Sequence, residues 1–430
     1  MYTIIRFFSQ FIAQPIVLIS VIAFIGLVVQ KKSFENIISG TIKAGIGVAI
    51  IGGGAAMLND SLPFISEVLS HKLNIKGYLP TTEALLAPAL EKYGNSAMLT
   101  MIGAFIFNIL MARLTTFKFI FLTGHIMLYL SLFYTMLLTN ILHLPNLYTI
   151  SIGIFILGSY FTFMPALTYK YIKEINPDGS LAIGHTSDIG MFISGFLGVL
   201  FGNRKKDIDH MKLPKGFDIL GNPIIGMSLT MVPIYIIVSF IGGYEYIYEH
   251  YSRPLYPMVY SILQSLIASA GVAVVLYGVQ MMLNELIPAF KGISEKLVPG
   301  VIPALDCSVL FKFGKSSIIL GFLSMFAGSL IGLSLQLFLL KTSNIIIPGL
   351  LPCFFSGGAA GVVGNNVGGF KGAIIGPLIT GILLTLGTGF LVNFTDADLL
   401  ATGATFGDPS YATTGLIVSF ILKIIYSIFS

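Results

Sequence analysis

Charge is what this sequence has least of. Only 10% of its 430 residues are Asp, Glu, Lys or Arg, against about a quarter in a soluble domain. A water-soluble fold of this length needs a polar surface that so few charges cannot supply. Cysteine is almost missing too: Cys307 and Cys353 form no CxxC pair and no metal-ligand spacing, and the histidines add no zinc pattern, so no metal or cofactor is expected. The glycine-rich run "FFSGGAAGVVGNNVGG" (354–369) lacks the GK[ST] ending of a phosphate-binding loop. No nucleophile–base constellation appears, and no segment between apolar runs is long enough for a soluble catalytic domain. The chain alone is therefore not expected to be an enzyme. Its first residues, "MYTIIRFFSQFIAQP", lack a charged n-region and a small-residue cleavage site and read as a mature end without a signal peptide.

What the sequence has in quantity is apolar length. Hydrophobic residues make up 55% and the mean hydropathy is +0.90. The expected fold is an all-α polytopic membrane protein. Eleven crossings are expected, at roughly 14–30, 38–58, 97–112, 118–142, 148–168, 222–243, 260–283, 316–340, 345–364, 372–393 and 412–430. The segment 183–201 reads as a re-entrant or half-buried element. The 47 glycines suit close helix packing and broken helices. The net charge of +5 reflects basic cytoplasmic loops rather than nucleic-acid binding: Lys31, Arg113, Lys118, Lys170, Arg204, Lys212 and Lys312 fall on one side when the N-terminus is outside and the C-terminus cytoplasmic. The loop with Asp396, Asp398 and Asp408 then lies outside. Lys72, Lys76 and Lys92, in the 59–96 segment, are the exceptions.

Two distant segments repeat each other in order. Met57–Phe64 ("MLNDSLPF") resembles Met282–Phe290 ("MLNELIPAF"), and Ile65-Ser-Glu67 resembles Ile293-Ser-Glu295. Gly77–Glu83 ("GYLPTTE") resembles Gly300–Asp306 ("GVIPALD"), and Lys92–Ser96 ("KYGNS") resembles Lys312–Ser316 ("KFGKS"). Five expected crossings separate the copies. Because five is odd, the copies have opposite orientation, the inverted-topology repeat of secondary transporters. Each copy is expected to form a re-entrant hairpin broken at Pro80 or Pro303, with Glu83 and Asp306 as related acids at the tips. Asp306 lies among apolar residues, where an acid is expensive and usually functional. Two Gly-His steps, "FLTGHIM" around His125 and "IGHTSD" from His185 to Asp188, place polar groups in apolar surroundings. A neutral imidazole can donate and accept, which suits the hydroxyls of a sugar-like solute. The run 354–369 reads as a broken helix whose backbone approaches the cavity.

The stretches "FLTGHIM", "SLAIGH", "FKGISEKLVPGVIPALDCS" and "NIIIPGLLPCFFS" resemble the ascorbate-specific IIC permease of the bacterial phosphotransferase system over nearly the whole chain. The resemblance implies a homodimer of eleven-helix subunits in the bacterial inner membrane, each with a core domain and a V-shaped dimer domain. Repeat one then covers about 10–170, repeat two about 220–395, and the final helix 412–430, all within one domain spanning 1–430. It also implies elevator-type movement of L-ascorbate or a related solute, coupled to phosphorylation by separate IIB and IIA proteins. The basic stretch 202–212 is either a plain loop or an acidic partner's docking patch. The family's ligand contacts fall on Thr82, Glu83, His125, Tyr129, His185, Thr186 and Asp306. Three of these depart in type, since the family pattern has tyrosine at position 83 and glutamine at 129 and 186. On physics alone, a proton-coupled transporter of a small sugar-like solute fits the same repeat and acids.

Overall fold

The computed structural model describes residues 15–209 and 223–429. Helices α1 (Pro15–Val29), α2 (Phe34–Ser61) and α3 (Pro63–Leu73) lead to strand β1 (Lys76–Pro80). Then follow α4 (Thr82–Leu114), β2 (Phe119–Phe121), α5 (Gly124–Leu142), α6 (Asn146–Ile175), β3 (Ala182–Ile183) and α7 (Asp188–Phe201). The second half holds α8 (Pro223–Gly242), α9 (Pro257–Leu297), β4 (Ile302–Leu305), a 3-10 turn (Cys307–Phe313) and α10 (Lys315–Ser334). It closes with β5 (Asn344–Ile346), α11 (Leu350–Leu391), β6 (Ala404–Thr405) and α12 (Leu416–Phe429).

Among the described residues, eight helical runs are long and apolar enough to cross a bilayer, or nine if α8 and the short helix bent 110° from it count as one. Three of the eleven expected segments account for much of the difference. Residues 14–30 yield the 15-residue α1, short of the roughly 20 residues a bilayer needs. The segments 345–364 and 372–393 correspond to the two arms of one helical run, α11, which therefore counts once. That run folds back at Gly369 (φ 59°, ψ −151°). Gly364 and Gly372 would stand about 12 Å apart on a straight helix, yet a β-carbon on Gly364 would lie 2.2 Å from the Gly372 carbonyl oxygen. The other glycines of this run serve packing and not the cavity: Gly357 and Gly361 lie against Gly321 of α10, and Gly368 against Gly198 of α7.

Small residues also let α2 and α9 touch backbone to backbone, since no solvent drives helices together inside lipid. A β-carbon on Gly54 would fall 2.7 Å from the Gly271 carbonyl oxygen and 2.7 Å from the Val275 nitrogen. Gly54→Val is therefore expected to cost about 1–3 kcal/mol, as overpacking does, and to lower the melting temperature in detergent. Gly52→Val is the control, because a β-carbon there meets nothing within 4 Å. Equal melting temperatures for the two variants would refute this packing account.

Six short strands form two parallel three-stranded sheets, ordered β5–β1–β6 and β2–β4–β3. The central strands, β1 and β4, come from the repeated "GYLP" and "GVIP" segments, and each is flanked by strands from the other half of the chain. The register pairs Tyr78 with Ile346 and Pro80 with Thr405; it likewise pairs Phe121 with Ala304 and Ile183 with Leu305. Pro80 and Pro303 thus stand in strands. Proline is tolerated in β1 because the ladder passes it by: Leu79 and Thr81 donate to Gly403 and Thr405, and Ile347 donates to Tyr78. The two copies then diverge. The first is helical without a break from Thr82 to Leu114, where a hairpin and a separate crossing at 97–112 are expected. The second breaks at Gly314 (φ −164°, ψ 94°) between the 3-10 turn and α10. Asp209 accepts the Ser316 and Ser317 amides at 2.9 and 3.0 Å and so caps α10.

The stretch Gly202–Asp209 is held down rather than free. Asn365 Nδ2 donates to Asp207 at 2.6 Å and Asp209 at 2.8 Å, and Arg204 pairs with Glu174 at 3.2 Å. His210 and Lys212, the rest of the basic stretch, lie outside the described residues, as do residues 1–14.

Candidate functional site

A cavity of about 340 Å³ opens where the two sheets end, the size of a small-molecule site. Parallel strands point their carboxyl ends one way, and loops leaving those ends are the natural place for ligand contacts. All six strands supply the cavity this way. Thr82 and Glu83 follow β1, His125 and Tyr129 follow β2, and His185 follows β3; Asp306 and Ser308 follow β4, Phe355 follows β5, and Asp408 follows β6. Helix α9 closes one side with Leu276, Val279, Gln280 and Asn284.

Six of the seven residues expected from the sequence line this cavity: Thr82, Glu83, His125, Tyr129, His185 and Asp306. Thr186 is fully buried behind them, and its hydroxyl donates to Asp408 Oδ2 at 2.8 Å. Asp408 is the correction. It is expected in an outside loop with Asp396 and Asp398, but the chain separates them. Asp408 enters the cavity and accepts a second hydroxyl, from Ser356 at 3.1 Å. Asp396 and Asp398 instead hold Lys92, each at 2.7 Å. Burial raises the Asp396 carboxyl, but hydrogen bonds from Lys92 and Tyr93 outweigh it and bring it to about 2.

The centre of the cavity is a His–Asp–His cluster. Asp306 caps the 3-10 turn through Oδ1, which accepts the Ser308 amide at 2.8 Å. Its Oδ2 lies 3.2 Å from His125 Nε2. The His125 and His185 rings stand 6.2 Å apart, centre to centre. The Ser187 backbone N–H donates to His185 Nδ1 at 3.1 Å, so Nδ1 is an acceptor and the ring proton sits on Nε2. His185 is therefore a neutral imidazole offering one N–H donor. The ligand atoms of His125, His185 and Asp306 all lie within 4.8 Å of one another, a proximity that sequence spacing did not reveal.

Around this centre the other groups are less committed. Tyr129 is buried and its hydroxyl has no partner in the described structure, while its ring packs edge-on near His125 at 5.9 Å. Thr82 Oγ1 accepts the Gly407 amide at 3.2 Å and ties the β1 end to the β6 end. Glu83 sits in the first turn of α4, where a carboxylate suits the helix dipole; it takes no hydrogen bond from another described residue. Gln280 and Asn284 add amides that read, in sequence, only as part or edge of an apolar crossing. The arrangement provides hydroxyl, amide, imidazole and carboxylate groups.

Comparison with known proteins gives the same direction. A model of the family described as "PTS system sugar-specific permease component" (EIIC-GAT) matches residues 10–410. The chain is also similar to the ascorbate-specific PTS system EIIC component of Mycoplasma pneumoniae, with 27% identity over 435 residues. That match covers 88% of this chain and 64% of the relative, so the chain spans less than two thirds of the relative's length.

Proposed function

The chain belongs to the sugar-specific permease family of the phosphotransferase system, and from that premise we propose that it carries a small polyhydroxylated solute, L-ascorbate or a related compound, across the membrane for phosphorylation by a separate IIB protein supplied by IIA. The observation that carries this reading is the convergence of six strand ends on one cavity lined by Thr82, Glu83, His125, Tyr129, His185, Asp306 and Asp408, with Thr186 behind them. Such groups pair with hydroxyls in both directions. The repeated order of strands and helices in the two halves supports an inverted-repeat architecture, with the solute held between the halves. On this reading the core carrying both sheets moves as an elevator within a homodimer, and the N-terminus lies outside the cell. Asp306 holds hydroxyls together with the two histidines.

A second reading is favoured by one observation: three carboxylates line the cavity, as in proton-coupled transporters. Uptake into inside-out and right-side-out vesicles separates the two. With the phosphoryl-donor proteins and phosphoenolpyruvate present, the accumulated solute should be phosphorylated, and a proton gradient alone should drive no uptake. Accumulation of unmodified solute under a proton gradient would sink the first reading and establish the second.

A further inference from the structure

We infer that the cavity selects an uncharged polyhydroxylated solute, a sugar or polyol, and discriminates against anions such as ascorbate. The inference rests on the solute-binding role proposed above and, within it, favours an uncharged related compound over L-ascorbate itself.

The argument is a count of what an anion would meet. Among the described residues that line the cavity there are three carboxylates, Glu83, Asp306 and Asp408, and no lysine or arginine. The imidazoles do not make up the deficit. His185 is held neutral by the Ser187 amide at its Nδ1. His125 is already engaged by Asp306 at 3.2 Å. Helix starts are the usual neutral seats for anions, but two of those at this site are taken by the protein's own acids. Asp306 caps the 3-10 turn and Glu83 occupies the first turn of α4. Asp408 receives hydroxyl donors from Thr186 and Ser356, which orient it without neutralising it.

Like charge disfavours charge at close range, and more so away from bulk water. A neutral solute meets the opposite situation. Its hydroxyls are donors, and carboxylate oxygens with unused lone pairs are the strongest acceptors available to them. Glu83 has such lone pairs free, and Asp408 keeps capacity beyond its two hydroxyl partners. The unpartnered Tyr129 hydroxyl and the His185 Nε2–H supply donors for the solute's oxygens.

The test is equilibrium binding to the purified full chain at pH 7, by calorimetry, with a panel of pentitols, pentoses and hexitols, L-ascorbate, gluconate and glucosamine. The expected result is that at least one uncharged member binds ten-fold or more tightly than ascorbate and gluconate. In the Glu83→Gln/Asp408→Asn double variant that gap should shrink at least ten-fold, with size-exclusion profile and melting temperature confirming a folded protein. Tighter binding of ascorbate than of every uncharged member overturns the inference while leaving a polyhydroxylated solute in place. Tighter binding of glucosamine overturns it in favour of a cationic sugar. A folded protein that binds nothing in the panel overturns the solute reading itself, and this inference with it. An unchanged gap in the double variant removes Glu83 and Asp408 as its cause and overturns the argument.

Discussion

Asp306→Asn should weaken solute binding a hundred-fold or more while leaving the protein folded. The carboxylate serves two purposes that asparagine separates. As a cap it needs only an oxygen that accepts the Ser308 amide at 2.8 Å, and the asparagine carbonyl provides one. As the partner of His125 at 3.2 Å it needs a negative charge. Hydrogen bonds to a charged group contribute about 1.5–3 kcal/mol, and at about 1.4 kcal/mol per factor of ten the loss of two reaches a hundred-fold. One is the bond to His125 that fixes the imidazole, and the other is the bond to a solute hydroxyl. Calorimetric titration with the tightest-binding solute checks affinity, and the melting temperature checks the cap. Normal binding by a folded Asp306→Asn protein would show that the site is misassigned.

How much of this site the sequence discloses depends on how each residue enters it. Glu83, His125, His185 and Asp306 are legible because each interrupts an apolar run, and the price of a polar group there is high wherever the chain folds. Thr82, Tyr129 and Thr186 carry no such signal; a threonine or tyrosine in a helix is ordinary, and they come from the family resemblance. Asp408 is the instructive miss. It stands beyond β6 as Thr186 stands beyond β3, and the two side chains meet at 2.8 Å. "LAIGHT" (181–186) and "GATFGD" (403–408) share almost no letters in that register. Only the pairing of both strands with the central strands of the two sheets reveals their equivalence. An acid in a polar, glycine-containing stretch also looks like a solvated loop, which is why charge patterning placed it outside.

The fold shows the same division. Apolar length locates most helices within a few residues, because burial in lipid leaves the backbone no other way to satisfy its hydrogen bonds. Local conformation is less legible. "KYGNS" and "KFGKS" are the same motif, yet Gly94 lies inside continuous helix and Gly314 lies at a break. The difference comes from a distant residue, since Asp209 offers its carboxylate to the amides exposed by the second break. The strands are not legible at all: stretches of two to five residues between helices have no period to read.

Gly369→Ala should be strongly damaging, lowering the yield of folded protein and its melting temperature. The backbone at Gly369 (φ 59°, ψ −151°) lies in a region essentially reserved for glycine, and forcing alanine into it costs about 1–3 kcal/mol. The added carbon would also meet two backbone atoms, the Asn203 oxygen at 2.3 Å and the Lys206 oxygen at 2.6 Å. Neither can retreat easily. Asn203 donates its amide to the Gly368 oxygen at 2.8 Å, and the Lys206 oxygen accepts the Phe370 amide at 2.8 Å. Relief therefore requires opening the turn between the two arms of α11. One arm begins beside the cavity at Leu351, Pro352 and Phe355, and the other leads on toward β6 and Asp408. Opening the turn would pull apart wall residues that lie far from the substitution in sequence. Phe370→Ala, at an exposed neighbour, is the comparison and should leave the melting temperature within a degree or two. If Gly369→Ala melts with Phe370→Ala, the turn is not what holds the two arms together.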